Sequence, residues 1–287
     1  MTLRRNRSDY QHELRVAKEL ARETGALLLK YYKTPLQVEQ KDDGDDPEPV
    51  TEADRAANEL IVGRLRREFP HDGILAEESA DTEHRLQREF VWLIDPMDGT
   101  KSFIERNDDF AVQIGLADRG VSVTGAVYLP VRGSLYWAAR GSGAWIEEPG
   151  RAPRRLRVSQ QTDPHEMILA SSRSHRSPRM EQVVRAFGFR NEMRRGSVGI
   201  KIGLIAERLA DLYIHLSPRT KQWDTCGPEV ILTEAGGRVT DLFGKPLRYN
   251  SVQVQNRNGI VATNGAAHET VIRNLSPLLA DFGRLPV

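Results

Sequence analysis

The sequence has a single cysteine, no long apolar run and almost no net charge. One thiol, that of Cys226, cannot form an internal disulfide, which fits a reducing cytoplasm. The longest uninterrupted apolar runs, such as residues 26–29, are far shorter than the about 20 residues of a membrane-spanning helix. A formal net charge of +1 argues against a non-specific nucleic-acid binder, because such proteins carry a marked basic excess. We therefore expect a cytoplasmic protein without a membrane or nucleic-acid partner.

The rest of the composition is typical of a globular protein, with 39% hydrophobic and 28% charged residues. A length of 287 residues allows one large domain or two smaller ones. Residues 1–10 are basic but have no apolar segment behind them, so we expect no secretory signal. The acid-rich residues 41–48 predict a mobile loop.

The sequence DPMDGT, residues 95–100, is the most informative stretch. It follows an apolar run, residues 90–94, that predicts a buried strand. Asp95, Asp98 and the Met97 carbonyl are thus delivered together at a strand end. At a separation of about 4 Å and an effective dielectric of about 20, two carboxylates repel by roughly 4 kcal/mol, so they need a proton, water or a cation. The motif predicts a metal site; the alternative is that Asp-Pro and Asp-Gly only form turns.

Three further acids lie at the edges of predicted elements. Glu77 follows a short strand, although it could belong to a solvated loop. Asp54 opens a helix predicted over residues 51–69, where a capping box would account for it fully. Asp224 precedes a helix predicted over residues 230–235 and could be only an N-cap. All these candidates are hard oxygen ligands without clustered Cys or His, which favours Mg²⁺ over zinc.

Together these segments resemble the lithium-sensitive, magnesium-dependent phosphomonoesterase superfamily of inositol monophosphatases, fructose-1,6-bisphosphatases and 3'(2'),5'-bisphosphate nucleotidases. The likeness covers nearly the whole chain and rests on residues 77–79, 95–100 and 223–224, which have the family's order and separations. Met97 stands where the family usually has Ile or Leu, a small departure because that position contributes its carbonyl. The resemblance implies a layered α-β-α-β-α sandwich of the α+β or α/β class, inhibition by Li⁺, and a monomer or homodimer.

Within that superfamily the nearer resemblance is to the bisphosphate nucleotidases, which remove a phosphate from 3'-phosphoadenosine 5'-phosphate and its sulfated relative. Residues 100–104, residues 223–229 and the sequence SRSH of residues 172–175 carry this likeness. Ser197 and Lys201 also stand where such nucleotidases contact the nucleotide. The alternative for these two residues is a glycine turn before a helix.

The resemblance implies two Mg²⁺ ions. Glu77, Asp95 and the Met97 carbonyl would hold the first ion. Asp95, Asp98 and Asp224 would hold the second, with Asp95 shared between them. Two such ions can stabilise the attacking and the leaving oxygens of an in-line displacement.

Thr100 would accept the proton of the attacking water if its own hydroxyl donates to a carboxylate, and either Glu77 or Asp54 must supply that carboxylate. Asp54 could instead hold a third, weaker ion through water. Backbone N–H groups at Gly99 and Thr100 would favour the phosphate charge if a helix begins at Lys101. The implied substrate contacts are Asp98, Gly99, Thr100, Ser172, His175, Ser197, Lys201 and Asp224.

Three β-rich segments between residues 110 and 139 predict antiparallel strands, and strands alternate with helices after residue 150. We therefore predict an N-terminal domain, residues 1–150, with an antiparallel sheet and most of the metal ligands. A C-terminal domain, residues 151–287, would supply Asp224 and substrate contacts.

The leading hypothesis is a Mg²⁺-dependent phosphatase that removes the 3'-phosphate of 3'-phosphoadenosine 5'-phosphate, with 3'-phosphoadenylyl sulfate as a second candidate substrate. One or two of the scattered arginines would meet the second phosphate, because guanidinium forks match phosphate oxygens. The first alternative is the same chemistry on inositol phosphates or other small phosphomonoesters. The second is a catalytically silent metal- or nucleotide-binding relative. The silent relative should lack a ligand, whereas this chain retains Glu77, Asp95, Asp98, Thr100 and Asp224.

Overall fold

The computed structural model of the chain describes residues 10–35, 37–41, 48–173 and 177–286. The helices are α1 (Gln11–Tyr31), α2 (Glu52–Glu68), α3 (Thr100–Ile104), α4 (Pro178–Phe187), α5 (Val198–Ala206), α6 (Gln222–Glu234) and α7 (His268–Asp281). The strands are β1 (Val38–Lys41), β2 (Glu48–Thr51), β3 (Gly73–Ala76), β4 (Phe90–Asp98), β5 (Ala111–Asp118), β6 (Val121–Leu129), β7 (Ser134–Ala139), β8 (Ala144–Glu147), β9 (Arg154–Arg155), β10 (Ile168–Ser172), β11 (Asn191–Arg195), β12 (Leu212–His215), β13 (Arg238–Thr240) and β14 (Ile260–Thr263). Among the described residues, no helix is both long enough and apolar enough to cross a membrane.

The larger sheet has seven strands in the order β3-β4-β5-β6-β7-β8-β9. Strands β3 and β4 are parallel, and every following neighbour is antiparallel. The antiparallel strands predicted between residues 110 and 139 are therefore confirmed. Short connections such as the turn at Gly120, with φ +75°, allow consecutive strands to pair directly.

The smaller sheet has five strands in the order β11-β10-β12-β14-β13. Strand β10 pairs in parallel with β11 and β12, as expected where helices connect the strands. Strands β12, β14 and β13 are antiparallel neighbours. The strand and helix alternation predicted after residue 150 therefore produces a mixed sheet.

The seven-stranded and five-stranded sheets form five layers with the helices, and the described residues bury four hydrophobic clusters. Strands β1 and β2 form a separate antiparallel pair. Helices α1 and α2 cover the outer face of the larger sheet through residues such as Leu20 and Ile61. Helices α5 and α6 fill the space between the sheets, and α4 and α7 cover the far face of the smaller sheet. Each fully buried Leu or Ile contributes about 1.5–3 kcal/mol. The predicted α-β-α-β-α sandwich is confirmed, whereas the division into two domains near residue 150 stays a prediction.

Glycines allow helix α6 to lie against the larger sheet with little side-chain thickness between them. A Cβ atom on Gly125 of β6 would lie 2.3 Å from the Gly227 carbonyl oxygen of α6. A Cβ atom on Gly115 of β5 would lie 2.6 Å from the Gly227 nitrogen and 2.8 Å from the Cys226 sulfur. We refer to Gly115, Gly125 and Gly227 as the glycine contact. It brings the N-terminus of α6 beside the end of β4.

Two elements extend beyond the predicted bounds. Strand β4 continues through Pro96 to Asp98, because a register shift between its pairings at Asp95 and Asp98 accommodates the missing proline donor. Helix α6 begins at Gln222 instead of residue 230. Pro228 removes one intrahelical hydrogen bond, and packing between the two sheets outweighs that loss.

Candidate active site

Four carboxyl groups meet at the end of β4. Glu77 follows β3, and its N–H donates to the Ile94 carbonyl at 3.1 Å, which places Glu77 beside Asp95. Burial raises the pKa of Asp95 well above its usual value, and the charges of Glu77, Asp98 and Asp224 raise it further. Burial also raises the pKa of Asp224, with the charges of Asp98 and Glu77 as further causes. Side chains from distant parts of the sequence thus form one acidic centre.

Asp54 and Asp224 are positioned by the same local structure. Each is the third residue of its helix. Asp54 Oδ2 accepts the Thr51 N–H at 2.7 Å, and Asp224 Oδ2 accepts the Lys221 N–H at 2.8 Å. One carboxylate oxygen thereby caps the helix, which fixes the side chain and leaves the other oxygen available to the centre.

The hydroxyl of Thr100 contacts Asp54. Thr100 Oγ1 donates to Asp54 Oδ1 at 3.0 Å, and its distance to the Met97 carbonyl oxygen is 3.3 Å. Burial raises the pKa of Asp54, an effect opposed by its hydrogen bonds to Thr51 and Thr100. Of the two acids proposed for Thr100, Asp54 is the one that accepts its hydroxyl here. Gly99, with φ +106°, makes the turn that joins β4 to α3.

Asp98 is held between the two halves of the sandwich. Its Oδ2 accepts the Ser197 hydroxyl at 2.5 Å, the Gln113 side-chain amide at 2.5 Å and the Gly199 N–H at 3.0 Å. Burial raises the pKa of Asp98, whereas the charge of Lys201 and the bond from Ser197 lower it. The end of β4 is thereby fastened to the start of α5.

Lys201 places a buried positive charge beside the acids. The residue is 3% exposed, and Nζ donates to the carbonyl oxygens of Ser197 at 2.6 Å and Gly196 at 3.2 Å. Burial lowers the pKa of Lys201 to about 8, although the charges of Asp98, Asp109 and Asp224 oppose this shift. The ammonium group therefore compensates part of the negative charge of the acidic centre.

The donor chemistry of the acidic centre suits a hard divalent cation. Across residues 10–35, 37–41, 48–173 and 177–286, no group of three or more Asp, Glu, His or Cys side chains is already arranged around a common metal position. Burial nevertheless raises the pKa of Asp95, Asp98 and Asp224, and a cation relieves the repulsion that accompanies this burial. The available donors are carboxylate oxygens and the Met97 carbonyl, which match the preference of Mg²⁺.

The residues predicted to contact the nucleotide lie in separate elements, with Ser197 at the start of α5 and Ser172 at the end of β10. Ser197 has φ +51°, which is uncommon for a residue other than glycine, and its hydroxyl accepts the Ile200 N–H at 3.2 Å as the N-cap of α5. Ser172 ends β10 and lines a cavity of about 320 Å³ that His215, Ser217 and Arg219 also line. His175 and residues 42–47 of the predicted loop lie outside the described residues.

Sequence reasoning missed two residues that organise the site. Gln113 lies opposite Asp95 in the strand pairing and donates to Asp98. Asp109 is 3% exposed and accepts the Gly196 N–H at 3.1 Å. Gln113 is a polar residue inside an apolar strand, which was an available signal. Asp109 offered none, because Asp in a short loop is ordinary.

Comparisons with known proteins agree with this architecture. The model of the Inositol monophosphatase family matches residues 9–279. The chain is 37% identical over 234 residues to the 3'(2'),5'-bisphosphate nucleotidase CysQ of Escherichia coli (strain K12), covering 80% of this chain and 91% of that protein. It is 32% identical over 274 residues to the Nus factor SuhB of Escherichia coli (strain K12), covering 93% and 97%.

A solved structure gives the same result. The crystal structure of CysQ from Bacteroides thetaiotaomicron, described as a bacterial member of the inositol monophosphatase family, aligns with a TM-score of 0.75 and 31% identity. The alignment covers 89% of this chain and 98% of that one. The match to the family model over almost the whole chain, together with these relatives, shows that the chain belongs to the inositol monophosphatase family and is a phosphatase.

Proposed function

We propose that the chain is a Mg²⁺-dependent phosphomonoesterase that hydrolyses the 3'-phosphate of 3'-phosphoadenosine 5'-phosphate to give AMP and phosphate. The observation that carries the proposal is the contact of Thr100 with Asp54 at the edge of the acidic centre. This contact places a hydroxyl that can accept a proton, that of Thr100, beside acids that can hold cations. 3'-Phosphoadenylyl sulfate is a second substrate of the same type.

The metal ligands follow from the acidic centre. Glu77, Asp95 and the Met97 carbonyl would hold one Mg²⁺, and Asp95, Asp98 and Asp224 a second. When bound, Mg²⁺ lowers the pKa of a coordinated water and offsets phosphate charge. The proposal includes two ions, with Asp54 assigned to Thr100 instead of to a third ion.

The proton follows a route that the hydrogen bonds define. The Thr100 hydroxyl donates a hydrogen bond to Asp54 Oδ1, so a lone pair of Oγ1 remains to accept a proton from water. Asp54 keeps this orientation because Thr51 holds its other oxygen through two donors, the N–H and the hydroxyl, both at 2.7 Å. As Thr100 Oγ1 takes a proton from water, its own proton passes to Asp54 Oδ1, so Thr100 relays the proton and the Asp54 carboxylate is the base that finally holds it.

Residues from the half of the chain that contains the smaller sheet support the substrate assignment. Ser197 and Lys201 lie directly beside Asp98, as a contact to a nucleotide near the reacting phosphate requires. The cavity beside Ser172 has a volume of about 320 Å³, within the range of about 300–1,000 Å³ usual for small-molecule sites. Relatives named CysQ are nucleotidases by name, which supports the same substrate class here. We also propose that the protein is a cytoplasmic monomer or homodimer and that Li⁺ inhibits it.

Hydrolysis of inositol phosphates or other small phosphomonoesters is the second candidate, because structures named as inositol monophosphatases share the fold. A panel of 3'-phosphoadenosine 5'-phosphate, adenosine 3'-phosphate and inositol 1-phosphate separates the two candidates. We expect kcat/KM to be at least tenfold higher for the bisphosphate than for inositol 1-phosphate. Faster hydrolysis of inositol 1-phosphate would replace the nucleotidase assignment with the second candidate. No Mg²⁺-dependent hydrolysis of any of the three would favour the silent relative.

A further inference from the structure

Three arginines from separate segments converge on one buried carboxylate, that of Asp109. Arg173 Nη2 donates to Asp109 Oδ2 at 2.5 Å. Arg132 Nη2 lies 3.9 Å and Arg195 Nε 4.0 Å from Asp109 Oδ1. Arg132 follows β6, Arg173 follows β10, and Arg195 ends β11. These three residues form the arginine cluster.

The arginine cluster has more positive charge than Asp109 can balance. Among the described residues, the three guanidinium groups share one carboxylate, that of Asp109, as their ion-pair partner. Arg195 Nε is buried, and no acceptor among the described residues takes its hydrogen. A buried donor without an acceptor costs about 1–3 kcal/mol, so a purely structural role leaves this arrangement unexplained.

Solvent reaches the arginine cluster. The side chains of Arg132 and Arg173 are 42% exposed and that of Arg195 is 31% exposed, whereas the side chain of Asp109 is 4% exposed. An anion arriving from solvent can therefore approach the guanidinium groups without displacing the carboxylate that orients them.

The arginine cluster lies next to the acidic centre. Gly196 N donates to Asp109 Oδ2 at 3.1 Å, and the adjacent Ser197 donates to Asp98 Oδ2 at 2.5 Å. On the other side, a Cβ atom on Gly99 would lie 2.7 Å from the Asp109 carbonyl oxygen. A phosphate at the acidic centre would thus have its neighbouring substituents within reach of the guanidinium groups.

We propose that the arginine cluster is a subsite for a second anionic group of the substrate, one that is bound but not cleaved. Guanidinium forks bind phosphate and sulfate oxygens in pairs, so both a 5'-phosphate and a phosphosulfate fit. This inference rests on the proposed function and makes it more specific. The enzyme would prefer phosphomonoesters that carry a second anion, because a substrate without one leaves the positive charges unpaired.

The test compares Arg132→Met and Arg195→Met with a matched control, Arg151→Met, whose side chain is 74% exposed and pairs with Glu148 at 3.5 Å. For each protein, kcat/KM is measured with 3'-phosphoadenosine 5'-phosphate and with adenosine 3'-phosphate. Calorimetric titration with the same two nucleotides reports recognition whether or not hydrolysis occurs. We expect the preference for the bisphosphate to fall at least tenfold in both cluster variants, mainly through KM, and to stay unchanged in the control.

An unchanged preference in both cluster variants, with the bisphosphate still hydrolysed, would overturn the subsite and leave the proposed function intact. If the unaltered protein hydrolyses neither nucleotide, the proposed function fails and the titrations decide the subsite. Tighter binding of the bisphosphate that is lost in the variants would support it, and equal binding of both nucleotides would overturn it. If Arg195→Met does not fold, the more exposed Arg132→Met decides the question.

Discussion

Replacing Asp54 with Asn tests the proposed proton route directly. The amide oxygen of Asn can still accept the Thr51 N–H and hydroxyl, which now bond to Asp54 Oδ2. The amide NH₂ would then occupy the place of Oδ1, which Thr100 contacts at 3.0 Å. An NH₂ group donates, so it would take the lone pair of the Thr100 hydroxyl that must accept the proton of water.

The expected effect on turnover is much larger than that on stability. General acid-base catalysis contributes roughly 10²–10⁴-fold, which corresponds to about 3–5 kcal/mol of activation free energy. Weakening a helix cap costs about 1 kcal/mol, or roughly 2–4 °C in Tm for a chain of this size class. We therefore expect Asp54→Asn to lower kcat at least about 100-fold at saturating Mg²⁺, with a loss of only a few degrees in Tm.

The control is Thr51→Ala, which removes the hydroxyl that accepts the Ala53 N–H at 3.2 Å and donates to Asp54 Oδ2. The Thr51 N–H still holds Asp54 Oδ2, and Asp54 Oδ1 still accepts from Thr100. This control should lower the free energy of unfolding by about 0.5–2 kcal/mol and keep kcat within about tenfold of the original. Steady-state phosphate release and thermal unfolding supply both quantities. Equal losses of turnover in the two variants, or normal turnover in Asp54→Asn, would refute the route.

Three further perturbations test the acidic centre and its support. Mg²⁺ at 100 times its Kd should stabilise the protein by about 2.7 kcal/mol, visible as a rise in Tm, and an equal rise in Asp224→Asn would contradict its role as a ligand. Gly125→Ala should lower the free energy of unfolding by about 1–3 kcal/mol and weaken Mg²⁺ activation, because the new Cβ would lie 2.3 Å from a carbonyl oxygen of α6. The control Gly63→Ala should not destabilise the fold, because the nearest contact of its Cβ is at 3.7 Å. Burial lowers the pKa of His268 from 6.5 to about 4, so the unfolded chain binds that proton more tightly and stability should fall as pH drops from about 6.5 to about 4. Urea unfolding should show a loss on the order of 1–2 kcal/mol across that window, after allowance for solvent screening. If His268→Gln lost stability with falling pH as steeply as the original protein, the loss would belong to other titrating groups.

The layered fold was expected from the family resemblance, whereas local signals in the sequence predicted individual elements. The β-rich segments predicted the antiparallel strands, and DPMDGT predicted a cluster of oxygens at a strand end. The sequence did not predict that α6 would begin at Gln222, because that depends on Gly115 and Gly125 meeting Gly227 from distant segments. Contacts of this kind are properties of packing and leave no periodic pattern in the sequence.

The candidate site shows a different limit. The sequence left two interpretations of Asp54 open, a capping box or a catalytic role. In the structure its two carboxylate oxygens have separate partners, Thr51 and Thr100. A carboxylate can serve both purposes, so evidence for the cap never argued against the chemistry. Lys201 was predicted only as a substrate contact, and its burial among the acids could not be read from a lysine in an apolar helix.

Because of the glycine contact, the thiol of Cys226 can report when α6 separates from the larger sheet. Cys226 is fully buried, its sulfur would lie 2.8 Å from a Cβ atom on Gly115, and burial raises the pKa of the thiol. An alkylating reagent can therefore attack it only after the helix parts from the strands beneath it. The rate of alkylation, compared with and without Mg²⁺, measures how firmly an occupied centre closes the two sheets around α6.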